Sequence, residues 1–478
     1  MKPTRLKSLV LIIVLIAVTG AALAYSTGAG KTWLSVLLNS SVQQSGVHPS
    51  PVSLGGHLVQ SKVLQGSSGR FNLALTLAAI QSLDSNSAVE RNVDMVVVLD
   101  RSGSMKGQKI NDARKAVSNL LSRLTAKDRF ALITYSDGVQ FISSLKPVTV
   151  AHRQHLTTLI AAVGAGGGTN LGAGLQAGID TMQHGKEIGN ARKLVLISDG
   201  LANKGITDAT RLGAMAGIAV EKEFAVSTVG VGIDFNEQLM TTIADRGAGN
   251  YYYLENPMAF SEVFQKEFFY TRSTVASNVS ILFPLGNGIS LIDAAGYPIT
   301  RHDDDAVFYP GDLRSGQTRQ LFLTLQVPTE STASFDIASV KLRYRFNGQS
   351  FETVLAEPLT IACVENKKEV QASIDKASWT EKVIQEDYNR LKQEVATDIK
   401  AGKKQTALKR IHRYYREQES INAAVGSAEV RENLDRDLKD LQQRVEDTFT
   451  GEPSAISRKQ KARSKALQYE GYKGRRLY

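Results

Sequence analysis

From Val93 the chain reads VDMVVVLDRSGSM, and this stretch restricts the fold more than any other. Near-continuous Val, Met and Leu up to Leu99 offers no polar face to water, so as a strand it is buried on both sides, in the middle of a parallel sheet. The run stops at Asp100, and Ser102, Gly103 and Ser104 follow in a polar loop. A D-x-S-x-S loop directly after such a strand collects one carboxylate and two hydroxyls where the chain turns. Oxygen donors carrying so little charge suit a hard divalent cation that keeps waters or borrows a further ligand.

Strands alternating with helices continue to about residue 269. Apolar runs at Phe130–Tyr135, Lys193–Ser198 and Phe224–Val231 are separated by helical periodicities at Ile110–Leu124, Leu171–Met182 and Asp208–Glu221. Such alternation predicts a doubly wound, mostly parallel sheet with helices on both faces. Period-two patterns flank it. Before it, Phe71, Leu73, Leu75, Leu77 and Ala79 share one face of a half-buried strand. After it, Val340, Leu342, Tyr344 and Phe346 alternate with charged residues as far as Asn347-Gly348, a two-residue hairpin turn. These patterns predict an antiparallel β-sandwich into which the α/β domain is inserted, with residues 54–91 as its first strands and 270–363 as the rest. From Glu365 apolar residues keep a seven-residue beat in charged sequence, which predicts a helical bundle over 364–450.

The two ends read differently. Lys2, Arg5 and Lys7 precede the apolar run Leu9–Ala24, which closes with Ala22-Leu23-Ala24. Residues 1–24 are therefore an export signal or an N-terminal membrane anchor, and 25–53 a Ser/Gly-rich linker. Either reading puts the body outside the cytoplasm, in the periplasm or at the cell surface. The formal charge is +10, and from Arg458 to Arg476 eight basic residues stand against Glu470 alone. Residues 451–478 thus read as a solvated basic tail, suited to an anionic envelope polymer or an acidic partner rather than to nucleic acid. The single cysteine, Cys363, excludes an intrachain disulfide, a multi-cysteine zinc site and an iron–sulfur cluster.

Two further phrases join the first loop. GGGTNLGAGL carries Thr169, and LISDGLAN ends a predicted central strand at Asp199. In open α/β sheets, ligands bind outside the carboxyl ends of the strands, where the winding direction reverses. DRSGSM, GGGTNLGAGL and LISDGLAN, in that order, resemble the von Willebrand factor type A domain with a complete metal-ion-dependent adhesion site. The resemblance covers about Asn92–Phe269 and points to a bacterial, exported branch with a following β-sandwich.

That resemblance implies roles by position. Ser102 and Ser104 bind the metal directly, and Thr169 binds it directly when a ligand is engaged and through water otherwise. Asp100 and Asp199 hold coordinating waters, or bind directly in some states, and supply the negative charge. The implied cofactor is a divalent cation, Mg2+ before Mn2+ or Ca2+, and the implied partner is a protein with an exposed Asp or Glu. The implied function is metal-dependent adhesion without catalysis, the alternative being an envelope scaffold assembled through the C-terminal helices. The last helix of the domain, Met258–Phe269, leads directly into the sandwich, so its movement would reorient the two.

Other motifs weigh less. Gly28–Thr32 imitates the end of a phosphate-binding loop, but Tyr25 stands where that motif needs its first glycine. His152 and His155 have no second pair of ligands, and Asp303-Asp304-Asp305 is a weak Ca2+ candidate in a sandwich loop.

Overall fold

Strands β1 (Val52–Leu58), β2 (Lys62–Leu64) and β3 (Arg70–Ala79) begin the fold in a computed structural model that describes residues 50–81, 91–184, 189–286, 288–302, 304–337 and 339–476. The alternation of β3 is realised, with Phe71, Leu73, Leu75, Leu77 and Ala79 in one apolar core. Its opposite face is covered too. Ala74 is fully buried and packs with Val59, Phe322 and Trp379 in a second core beneath the C-terminal helices, so β3 is not the half-buried strand its pattern predicts.

The α/β domain follows as β4 (Val93–Asp100), α1 (Gln108–Arg123), β5 (Arg129–Tyr135), β6 (Val139–Pro147) and α2 (Val150–Ala161). It continues through α3 (Leu171–His184), β7 (Ala191–Ser198), α4 (Ala209–Glu221) and β8 (Ala225–Val231), and closes with α5 (Glu237–Arg246), β9 (Ala248–Leu254) and α6 (Phe260–Arg272). The sheet order is β6-β5-β4-β7-β8-β9, parallel except for the antiparallel edge strand β6. Every residue of β4 and β7 is buried. Val93, Met95, Val97 and Leu99 pack under α1, α2 and α6, while Val96 and Val98 pack under α3, α4 and α5. Two covered faces are why the β4 sequence is apolar at nearly every position. From β4 the chain winds to β5 and β6, then crosses to β7 on the other side of β4, so the winding reverses between β4 and β7.

The chain then enters β10 (Thr274–Pro284), β11 (Ser290–Ala294), β12 (Thr300–His302), β13 (Asp305–Phe308), β14 (Leu313–Arg314) and β15 (Thr318–Gln326). β16 (Ala333–Ile337), β17 (Lys341–Phe346), β18 (Gln349–Val354) and β19 (Leu359–Val364) complete the strands. β3 lies between β1 and β15, with Leu75 opposite Leu321 and Phe71 opposite Leu325. Strands from both sides of the α/β domain therefore share one sheet. Asn347 and Gly348 turn the β17–β18 hairpin with φ of 49° and 77°, the positive values a two-residue turn needs.

The C-terminal region departs from its pattern in two places. The first stripe is not one helix: α7 (Lys367–Ala372) stops short of α8 (Lys376–Lys382), which runs on through a π-helical turn at Val383–Asp387 into α9 (Tyr388–Lys400). The break comes at Asp375, whose carboxylate caps α8 while its N–H donates to Val59 O in the sandwich. After α10 (Lys404–Val425), α11 (Ala428–Glu432) and α12 (Leu438–Thr448) comes the larger departure. The expected basic tail is a 24-residue helix, α13 (Pro453–Arg476), packed on α9 and on the α/β domain. Four of its eight basic residues pair with carboxylates elsewhere in the chain: Lys461 with Asp234, Lys465 with Glu237, Arg475 with Glu386 and Asp293, and Arg476 with Asp245. Tyr469 and Tyr472 meet Tyr251 edge to face at 5.8 and 5.4 Å between ring centres. Paired charges and buried aromatic rings hold the segment down, and composition alone shows neither. Among the described residues no helix is long and apolar enough to cross a membrane. The leader lies outside the described residues, as does Asp303 of the acidic triplet.

Candidate functional site

The winding reversal leaves a crevice at the carboxyl ends of β4 and β7, and the loops there bring all five predicted residues to one place. Asp100 is the last residue of β4 and is fully buried. Its Oδ1 accepts from the Ser102 N–H at 2.7 Å and its Oδ2 from the Ser198 hydroxyl at 2.9 Å. The Ser102 and Ser104 hydroxyls lie 3.0 Å apart, and the Ser104 hydroxyl donates to Asp199 Oδ1 at 2.7 Å. Thr169 enters from the loop before α3. A methyl group built on Gly200 would stand 3.3 Å from Ser104 Oγ and 3.6 Å from Thr169 Oγ1, so both hydroxyls converge beside that residue.

The Thr169 loop is held from several sides. The Gly103 N–H donates to Gly167 O at 3.0 Å, and the Gly166 N–H to Arg101 O at 2.7 Å, tying the two loops together. Gly167 has φ of +86°, and a Cβ there would run into the Asp137 carboxylate. That carboxylate accepts from the Gly168 N–H at 3.0 Å, and Asn203 Oδ1 accepts from the Thr169 N–H at 2.9 Å. Beneath the site, the buried Tyr135 hydroxyl donates to Ile197 O at 2.9 Å and closes the crevice floor.

Charge is concentrated where water is scarce. Burial pushes the Asp100 carboxyl up to about 6 despite its bonds from Ser102, and the Asp199 charge adds to the rise. Such a group gains from a nearby cation, which favours its ionised form. Lys109 already supplies one charge, its ammonium standing 2.5 Å from Asp199 Oδ2. Sequence reasoning missed Lys109, and it placed Ser198 in the Asp199 loop without giving it a role. Lysine in the first turn of a helix opposes the helix dipole, and that mismatch in α1 is the one signal that something acidic faces it.

The oxygen set fits a small octahedral cation. Adjacent ligands of an ion with bonds of about 2.05 Å stand roughly 2.9 Å apart, and the Ser102–Ser104 and Ser104–Asp199 separations are 3.0 and 2.7 Å. Among the described residues no three His, Cys, Asp or Glu side chains cluster as a metal site, so any ion held here relies on hydroxyls as much as on carboxylates.

Residues 94–266 match the family described as von Willebrand factor type A domain. This segment is a von Willebrand factor type A domain. Domains of this family mediate protein–protein interactions and commonly bind a divalent metal, and families built on them are generally not enzymes. An uncharacterized protein of Synechocystis is 25% identical over 325 residues, covering 66% of this chain and 76% of that protein. The uncharacterized protein YfbK of Escherichia coli is 30% identical over 188 residues, covering 39% of this chain and 32% of YfbK. The solved von Willebrand factor type A protein of Catenulispora acidiphila superposes with a TM-score of 0.66 at 16% identity, covering 90% of this chain and 98% of that one. The shared fold thus extends well beyond the von Willebrand domain into the sandwich and helices.

One arrangement elsewhere resembles a hydrolytic triad and is not one. The Ser378 hydroxyl donates to Asp375 at 2.5 Å, so His57 Nε2, 2.6 Å away, donates to it in turn. A nucleophile needs its base to accept from the serine, and here the bonds run the other way.

Proposed function

We propose that this is an exported cell-envelope protein that binds a protein partner through a divalent cation held by Asp100, Ser102, Ser104, Thr169 and Asp199. The observation that carries the reading is the convergence of two fully buried carboxylates, Asp100 and Asp199, with the Ser102, Ser104 and Thr169 hydroxyls at the carboxyl ends of β4 and β7. A bound divalent cation, Mg2+ in the first instance, would supply an electrophilic position for an acidic side chain of the partner. The chain's own residues do the positioning. Asp100, fixed through both oxygens, sets the start of the loop and its negative charge. Ser198 locks that carboxylate, and the glycine-rich turn sets the Thr169 hydroxyl beside Gly200. Export rests on the basic, apolar leader ending in Ala22-Leu23-Ala24.

The scaffold alternative loses ground because the apolar stripes of the C-terminal helices are turned inward against the sandwich and one another. The test is Mn2+ binding by calorimetry on the full chain, with an Mg2+-dependent pull-down from envelope extract. Asp100→Ala and Ser104→Ala should abolish both without unfolding the protein. Unchanged metal binding and capture in these variants would refute the reading.

A further inference from the structure

The ion site does not open onto bare surface. It forms one end of a groove of about 720 Å³ whose far wall is α13, the helix that replaces the expected tail. Ser457, Gln460, Lys461 and Ser464, three and four positions apart, present one face of that helix to the groove. The loop from Ile233 to Asn236, the first residues of α5 (Glu237 and Gln238) and Lys400 at the end of α9 complete the wall. A ligand at Ser104, Thr169 and Asp199 therefore lies along this wall, and its neighbouring residues meet it.

The wall is cationic, and part of that charge is free to be shared. Lys109, Lys400, Lys461 and Lys465 line the groove against three carboxylates, Asp199, Asp234 and Glu237. Glu237 is already neutralised by the buried Lys465 at 2.6 Å, so Lys400, which also reaches it, is a surplus cation with its side chain 54% exposed. Lys461 pairs with Asp234 at 3.0 Å where both are more than half exposed, a contact weak enough to exchange partners. Leu201, 58% exposed in the same groove, adds one apolar contact.

We infer that the groove binds an extended acidic segment of the partner, with one carboxylate at the five-oxygen site, a second on Lys400 and Lys461, and an apolar side chain on Leu201. This rests on the ion-site reading and narrows it to a partner with at least two acidic residues in one extended stretch. Charge complementarity selects this occupant over a neutral or basic one.

The test uses two fluorescein-labelled peptides and the full chain with Mg2+ in excess, read by fluorescence polarisation. One peptide alternates Asp and Leu, and the other keeps a single Asp with Asn in place of the rest. Lys400→Gln and Lys461→Gln should each weaken the first peptide about fivefold and leave the second unchanged, with Lys461→Arg restoring affinity. Chymotrypsin resistance of α13 is measured on the same samples to show that the helix stays docked.

Equal binding of the first peptide by wild type and both variants overturns the inference. If Mn2+ binding by calorimetry is intact in that case, the groove alone has failed; if Mn2+ binding is absent from wild type, the ion-site reading has failed with it. Polyphosphate binding in EDTA that depends on the same two lysines would also overturn the inference, in favour of an anionic polymer.

Discussion

Replacing Lys465 by Met should loosen α13 from the von Willebrand domain far more than the loss of any exposed charge would. Lys465 is 6% exposed in its side chain, and its ammonium donates to both Glu237 and Phe235 O at 2.6 Å. It also lies 4.2 Å from the centre of the Phe235 ring. Met fills similar volume but returns neither bond, and it leaves a 9%-exposed carboxylate with Lys400 alone. Breaking a buried pair costs roughly 3–5 kcal/mol, and the remaining partner moves the expectation to the low end, about 3 kcal/mol. At about 1.4 kcal/mol per factor of ten, the undocked population of α13 rises about 100-fold.

Chymotrypsin reads this directly, because Tyr469 and Tyr472 are half-buried and buried in the docked helix and cleavage tracks the open population when reclosing is fast. Lys400→Met is the control, since its 54% exposure limits its contribution to about 1 kcal/mol, a roughly fivefold effect. Adding Glu237→Gln to Lys465→Met should recover part of the loss, because no carboxylate is then stranded. Cleavage rates that are equal in Lys465→Met and Lys400→Met would refute the assignment of Lys465 as the anchor.

Three other outcomes follow. Burial pushes Glu237 up, but the ammoniums of Lys400 and Lys465 outweigh it and hold its carboxyl below the ordinary 4.5. Its contribution is therefore complete above pH 4.5 and lost as pH falls through the lower folded value; hydrogen exchange in α13 should accelerate there, and less so in Glu237→Gln. Gly167→Ala should cost about 1–3 kcal/mol and weaken Mn2+ binding, because it forces a left-handed residue against Asp137. Gly166→Ala, which meets open space, should change neither the melting temperature nor the calorimetric titration. Leu75→Ala, in the fully buried centre of β3, should cost 2–5 kcal/mol in chemical denaturation, which would show that strands before the von Willebrand domain are integral to the sandwich after it.

How much of this is local information can be judged residue by residue. The apolar run of β4 announces a central strand because burial on two faces removes every polar position. The period-two runs of β3 and β17 announce their inward faces because successive side chains point to opposite sides of a strand, and Asn347-Gly348 announces its turn through the cost of positive φ. Asp100, Ser102, Ser104 and Asp199 are legible because loops after the central strands β4 and β7 carry their donors within a few positions of the strand end, and Thr169, on the loop between α2 and α3, is legible only through its glycine-rich phrase. Ser198 and Lys109 are not, since their meaning depends on which carboxylate another loop delivers. Ala74 looks solvent-facing until Trp379 and its neighbours cover it from three hundred residues away. The fate of Arg458–Arg476 is the clearest division. Sequence alone determines that the segment is strongly basic, and a basic run is ordinarily solvated. Only the tertiary structure sets Glu237 against Lys465 across 228 positions, and that pairing, with Tyr472 sealed against Tyr251, makes the segment one wall of the groove beside Ser104, Thr169 and Asp199.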